Sequence, residues 1–192
     1  MELKFAQRGF TLHRMANREQ ALDFLRERTR DKVVACGGSV TLQQLDVEQA
    51  LDGVAKELHW HWSTPGQFCQ TPAVYLTSAN ALAESGEIVN IDGTGNRVSA
   101  TLFGCEEVYF VCGRNKLAPD LAAAIDRARN IAAPKNAQRL GAATPCAKEG
   151  DRCYGCRISN PKSICRALVV LEQKPLSVKK MEILLLDEVL GY

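Results

Sequence analysis

Three times along this chain a short apolar run ends in a glycine-bearing polar turn and gives way to residues at helical spacing. Lys32-Val-Val-Ala-Cys36 stops at Gly37-Gly38-Ser39, Glu87-Ile-Val-Asn-Ile91 at Asp92-Gly93-Thr94-Gly95-Asn96-Arg97, and Val108-Tyr-Phe-Val-Cys112 at Gly113-Arg-Asn-Lys116. Strand, loop and helix in alternation are the pattern of an α/β layered domain with a mainly parallel sheet and right-handed crossovers. In such sheets ligands sit in the polar loops at the carboxyl ends of the strands.

The intervening segments fit this order. Asn17 with Gln20 resembles a capping box, and Ala21, Leu22 and Leu25 then share one face, which predicts an amphipathic helix over 18–30. Asp46 with Gln49 starts a second helical pattern that carries Val47, Ala50, Leu51, Val54 and Leu58 on one face. Residues 59–72 read as a loop holding Pro65, Gly66 and Pro72, in which His59 and His61 are surface or packing residues. Val74–Thr77 reads as a buried strand, and Glu84-Ser-Gly86 as a hairpin-like turn. Pro119 suits a first helical turn, Leu121, Ala124, Ile125, Ala128 and Ile131 form an apolar stripe, and Pro134 is expected to stop that helix. Ala167–Leu171 and Met181–Leu186 are expected to pair through a Lys174-Pro175 turn and close one edge of the sheet.

At 192 residues the chain reads as one domain, 1–192, long enough to bury a normal core. Its 24 Lys+Arg against 22 Asp+Glu leave a net charge of +2, no electrostatic case for nucleic acid or a membrane surface. The first residues lack a secretory apolar core, and no run approaches the roughly 18 apolar residues of a membrane span. A cytoplasmic location is expected, and there clustered cysteines are metal ligands or redox groups more often than a disulfide framework.

The turns carry the first chemistry. Gly37 and Gly38 let backbone N–H groups face one point, and Ser39 and Thr41 add hydroxyls at a helix start where negative charge is favoured. The bland alternative is a strand-to-helix turn with a serine cap. In the next turn, Gly93 and Gly95 permit close backbone approach, Thr94 offers a hydroxyl, Asn96 an amide, and Arg97 a fork of donors suited to carboxylate or phosphate. Asp92 is either a base or the anchor that orders this loop. Asn115 and Lys116 supply a further set of donors.

The second centre is Cys146, Cys153, Cys156 and Cys165, spaced C-x6-C-x2-C-x8-C within 145–165. A C-x2-C pair aims two thiolates at one metal, and the flanking cysteines can close a four-sulfur site. Lys148, Arg152, Arg157, Lys162 and Arg166 crowd the segment and would offset thiolate charge. The uneven spacing lacks the two matched halves of a zinc ribbon, so a 4Fe-4S cluster is favoured over zinc. Cys36, Cys69, Cys105 and Cys112 read as small core residues.

GGSVT at 37–41, SANALAESGEIVNIDGTGNRVSATLFG at 78–104, VYFVCGRNKL at 108–117, RARNIAAPKNAQRL at 127–140 and PCAKEGDRCYGCRISNPKSIC at 145–165 resemble the LUD domain, the lactate-utilisation family. The likeness is to its small stand-alone members with a four-cysteine tail. It implies a Rossmann-like three-layer α/β sandwich of the NagB, ribose-5-phosphate isomerase and CoA-transferase type. Asn80 stands where related sugar-phosphate isomerases carry an acid, which argues against their proton-transfer chemistry and leaves Asn80 as a ligand contact. Three functions stay open: an iron-sulfur redox-linked protein of organic-acid metabolism that holds a small anionic ligand and serves a redox partner, a binding or assembly module with a structural metal, and an isomerase or acyl-transferase. Homo-oligomerisation is left open. No G-x-S-x-G elbow is present, and Val98 stands where a dinucleotide fingerprint needs its third glycine.

Overall fold

The computed structural model describes residues 1–63 and 72–192. In chain order the elements are α1 (Glu2–Gln7), β1 (Thr11–Met15), α2 (Arg18–Thr29), β2 (Val33–Cys36), α3 (Val40–Gln44), α4 (Val47–Leu51), β3 (Glu57–Trp60), β4 (Val74–Thr77), β5 (Ala81–Ala83) and β6 (Ile88–Asp92). They continue with α5 (Asn96–Leu102), β7 (Glu107–Gly113), β8 (Leu117–Ala118), α6 (Leu121–Arg127), α7 (Ala133–Arg139), α8 (Pro145–Glu149), β9 (Ala167–Leu171) and β10 (Lys180–Leu186).

Six strands in the order β1-β10-β7-β4-β2-β3 form a wholly parallel sheet. Its central strands alternate between two cores, as strands covered on both faces must. Tyr109 and Val111 of β7 pack with Ala21, Leu25, Leu42 and Leu51 of α2, α3 and α4, whereas Val108, Phe110 and Cys112 face Phe5 of α1, Leu82 of β5 and Ile88 of β6. The expected Rossmann-like α/β sandwich is present. A smaller sheet, β8-β5-β6-β9, lies over the second face, and its outer residues Ala81, Ala83 and Val89 bury against Ala124 and Ala128. Among the described residues no helix is long and apolar enough to cross a membrane.

Asn17 caps α2 as expected, accepting from Gln20 N–H at 2.9 Å, and Ser39 Oγ accepts from Leu42 N–H at 3.3 Å at the start of α3. Other expectations are corrected. The second helical pattern ends at Leu51, and Leu58 to Trp60 belong to β3, paired in parallel with β2, so the assigned loop begins after Trp60. β9 and β10 do not pair. β9 runs antiparallel to β6, and β10, whose residues after Lys180 are all buried, takes a central place between β1 and β7. Pro134 does not stop its helix. A π turn at Ala128–Ala132 precedes it, so the proline falls in the first turn of α7, where a missing N–H is tolerated. The same turn shifts the helical phase and leaves Ile131 42% exposed instead of in the stripe.

Candidate functional site

The carboxyl ends of β2, β4 and β7, neighbours in the parallel sheet, open into a cavity of about 470 Å³. Gly38, Ser39 and Thr41 enter it from the turn after β2, Ser78 from the end of β4, and Lys116 from the 3-10 turn after β7. The β6 turn supplies Asp92, Gly93, Thr94, Asn96 and Arg97, and Asn80 also lines the wall. Of the sequence-derived ligand residues, Gly37, Gly95 and Asn115 stand outside the lining. Gly37 is needed for space, since a Cβ there would overlap the Tyr75 hydroxyl. Asn115 is committed to the C-terminal segment, its Oδ1 accepting from Leu190 N–H at 3.0 Å.

Asp92 acts as the anchor of its loop. Oδ1 accepts from Thr94 N–H at 3.0 Å and Gly95 N–H at 2.8 Å, while buried Oδ2 accepts no hydrogen bond and faces Arg97 Nε at 3.4 Å. Arg97 is itself partly spent on the backbone, donating to Ile91 O at 2.8 Å. Asn80 clamps the β5–β6 hairpin: its Oδ1 accepts from Ile91 N–H at 2.7 Å, and its N–H donates to Asn90 Oδ1 at 3.1 Å. Four cationic side chains, Arg97, Lys116, Arg139 and Arg166, line the cavity against one carboxylate, Asp92. Such a wall attracts anions.

The four predicted cysteines converge on a neighbouring cavity of about 210 Å³, together with Arg129, Arg157 and Arg166. Cys146 sits on α8, Cys153 is tied by its N–H to Asn130 Oδ1 at 3.0 Å, Cys156 opens a 3-10 turn, and Cys165 precedes β9. Burial, with Cys153, Cys146 and Cys156 adding their charge, pushes the Cys165 thiol up to about 11. Four thiolates in one place thus need compensating positive charge, which three arginines and a bound metal centre would supply. Of the five basic residues noted in the sequence, Arg157 and Arg166 reach this cavity, whereas Arg152 lies over the Tyr154 ring at 5.3 Å and Lys148 pairs with Glu149 at 3.9 Å. Among the described residues no group of three or more His, Cys, Asp or Glu side chains is placed to hold a metal ion. The donor set, four cysteine sulfurs beside three arginines, is of the kind used by both iron-sulfur clusters and structural zinc.

The two cavities share Ile91, Ala133 and Arg166. Arg166 N–H donates to Asp92 O at 2.9 Å, and a Cβ at Gly93 would stand 2.9 Å from Ile164 O, so the cysteine segment is seated directly on the glycine turn.

The sequence model of the LUD domain family matches residues 1–186. The chain belongs to the LUD domain family. No curated protein sequence matches it. A solved structure of a DUF162 family protein from Deinococcus radiodurans is similar in fold, with a TM-score of 0.56, 10% identity, and coverage of 96% of this chain and 93% of that one.

Several lining residues of this LUD domain escaped the sequence reading. Ser78 opened a stretch already singled out but has no motif of its own. His61 was assigned to surface or packing; its ring is exposed, stacks edge-on to Trp62, and also borders Gly38 and the cavity. Burial and then the charges of Arg139 and Arg97 lower its pKa, favouring neutral imidazole. Asn136 and Arg139 arrive from α7, at a spacing that signals only a shared helix face. Cys36, Cys105 and Cys112 are buried as expected, and Cys69 lies outside the described residues.

Proposed function

We propose that this LUD domain protein is an iron-sulfur, redox-linked protein of lactate or organic-acid metabolism that binds a carboxylate- or phosphate-bearing ligand. The observation that carries the reading is the wall of Ile91, Ala133 and Arg166 common to the cationic cavity and the four-cysteine cavity. Cys146, Cys153, Cys156 and Cys165 would hold a 4Fe-4S cluster, which when bound supplies one-electron transfer. The chain's own part is to hold the anion. Arg139 and Lys116 offer charge, Ser39 and Thr94 offer hydroxyls, and Arg166 lies where it meets both sites. Asn80 and Asp92, occupied with backbone N–H groups, give no support to isomerase-type proton transfer.

Anaerobically purified protein is expected to be brown, with about four iron and four sulfide per chain, and its reduced electron paramagnetic resonance spectrum should shift when lactate or phosphate is added. Colourless protein with one zinc would sink the redox reading and leave a structural-metal module. An unshifted spectrum would deny contact between the sites.

The anion half is tested separately. Arg139 is exposed and, among the described residues, bonds only its helical neighbour Asn136, at 2.9 and 3.2 Å, so Arg139→Ala should leave the unliganded melting temperature within about 1 °C of wild type. Losing one charge-assisted contact of about 1.5–3 kcal/mol should weaken phosphate- or lactate-dependent thermal stabilisation by about tenfold or more in apparent affinity. A ligand titration indistinguishable from wild type would count against the cationic wall.

A further inference from the structure

Lys116 is a buried lysine on the wall of the cationic cavity. Its side chain is only 4% exposed, yet it borders the cavity, with Nζ 2.7 Å from Ser78 Oγ and 3.0 Å from Thr41 Oγ1. Among the described residues no carboxylate is within ion-pairing distance of it, and the single acid of the wall, Asp92, is engaged with Thr94, Gly95 and Arg97. The titratable and charged groups that act on Lys116 are Cys112 on β7, Arg97 on α5 and Arg127 on α6, two of the three being cations. An ammonium held away from water beside other cations is destabilised, so Lys116 gives up its proton more readily than an exposed lysine does. Burial chiefly, with the two arginines, lowers its pKa to about 8.

A lysine desolvated next to other cations is the arrangement that turns an amine into a nucleophile for carbonyl carbon. Here that amine has a hydroxyl on either side, and each hydroxyl can both donate and accept a proton. Arg139, which lines the same cavity, can hold a carboxylate.

We propose that Lys116 is a carbonyl-reactive residue whose Nζ condenses with a small 2-oxo acid bound by its carboxylate in the cationic cavity. This inference rests on the anion-binding reading of that cavity and adds the class of ligand and its chemistry. The Nζ lone pair forms a C–N bond as the carbonyl π bond opens onto oxygen. That oxygen takes the proton the nitrogen releases, relayed through the Ser78 or Thr41 hydroxyl, to give a carbinolamine. A second proton converts the hydroxyl to water, which leaves as the nitrogen lone pair forms the C=N bond. One amine, one carbonyl and one proton taken from solvent through the same hydroxyls become one protonated imine and one water, and nothing is oxidised or reduced.

The test is reductive trapping on the full chain under anaerobic conditions, with pyruvate as probe and cyanoborohydride as reductant, read by intact mass and peptide mapping. The expected result is one adduct per chain, equal to pyruvate less one oxygen atom, on the peptide bearing Lys116. It should form about tenfold or more faster than at any exposed lysine, with a rate that climbs with pH through a midpoint at about 8, where half of the amine is neutral. Lys116→Arg, which keeps the charge, should lose that adduct. Because the mapping is done on wild-type protein, a variant that fails to fold does not spoil the test. Adducts spread evenly over surface lysines would overturn the proposal. So would pyruvate-dependent thermal stabilisation without an adduct, which would leave the anion reading standing. Neither stabilisation nor adduct would overturn both.

Discussion

Protein with serine at both Cys153 and Cys156 is expected to emerge from anaerobic purification colourless, with iron below about one-tenth of the wild-type content. Iron-sulfur centres need thiolates, and a serine hydroxyl neither ionises near neutral pH nor offers a soft donor. Cys146 and Cys165 remain in the lining of the roughly 210 Å³ cavity, supplying two of the four sulfurs. The fold should survive, because Cys153 and Cys156 lie in a segment outside both sheets, with the β9 pairing to β6 beginning only at Ala167. Far-ultraviolet circular dichroism should therefore match wild type, while the melting temperature falls because a ligand that binds only the folded state has been lost. Iron content unaffected by the double substitution would show that these cysteines are not the ligands.

The second large effect is expected at a residue that lines neither cavity. Arg127 is buried and donates to Asn115 O at 2.6 Å, to Asn80 O and to Tyr192 O at 3.3 Å, so one guanidinium ties together the β5 entry, the turn that carries Lys116 and the C-terminal segment. Arg127→Met keeps much of the volume but strands these carbonyls. With charged hydrogen bonds worth about 1.5–3 kcal/mol each and imperfect relaxation, the loss should be about 3 kcal/mol or more. For a chain of this size that is a fall in melting temperature of roughly 6–12 °C. Arg127→Lys should recover less than half of it, since an ammonium cannot span the fork. Urea denaturation gives the number; a loss under about 1 kcal/mol would mean that water replaces the guanidinium freely.

Much of the fold was legible because the central strands are continuous apolar runs, which only a sheet covered on both faces accommodates. β4 and β7 announced themselves in this way. β3 did not: Glu57-Leu-His-Trp60 is a short edge strand with two polar side chains, and its pairing with β2 is fixed by tertiary contact. The mispairing of β9 with β10 came from assuming that strands adjacent in sequence are adjacent in space. Ala167-Leu-Val-Val-Leu171 and Met181-Glu-Ile-Leu-Leu-Leu186 are both apolar runs, and only packing separates them: one lies half exposed at the edge of the smaller sheet, the other buried at the centre of the larger.

The site divided along similar lines. Residues in a local pattern, such as the glycine turns and the four cysteines, were found from their spacing. His61, Ser78, Arg139 and Arg166 come from separate elements, and only the packed chain brings them to one wall. Asp92 and Asn80 show the converse case. Their residue types suggested contact with a ligand, but their side chains accept hydrogen bonds from neighbouring backbone N–H groups.

The π turn at Ala128–Ala132 carries a consequence of a different kind. Before it, Arg127 points to the carbonyls beneath the cavity; within it, Arg129 borders the cysteines; after it, Asn136 and Arg139 reach the cavity rim. A regular α-helix advances about 100° per residue and would present these groups in a different rotation. The position of the rim is thus encoded as a count: exchanging the exposed side chain of Ile131 alters little, but excising that one residue would swing everything downstream by a fraction of a turn. Insertion and deletion, more than substitution, are the changes this helix would find hardest to absorb.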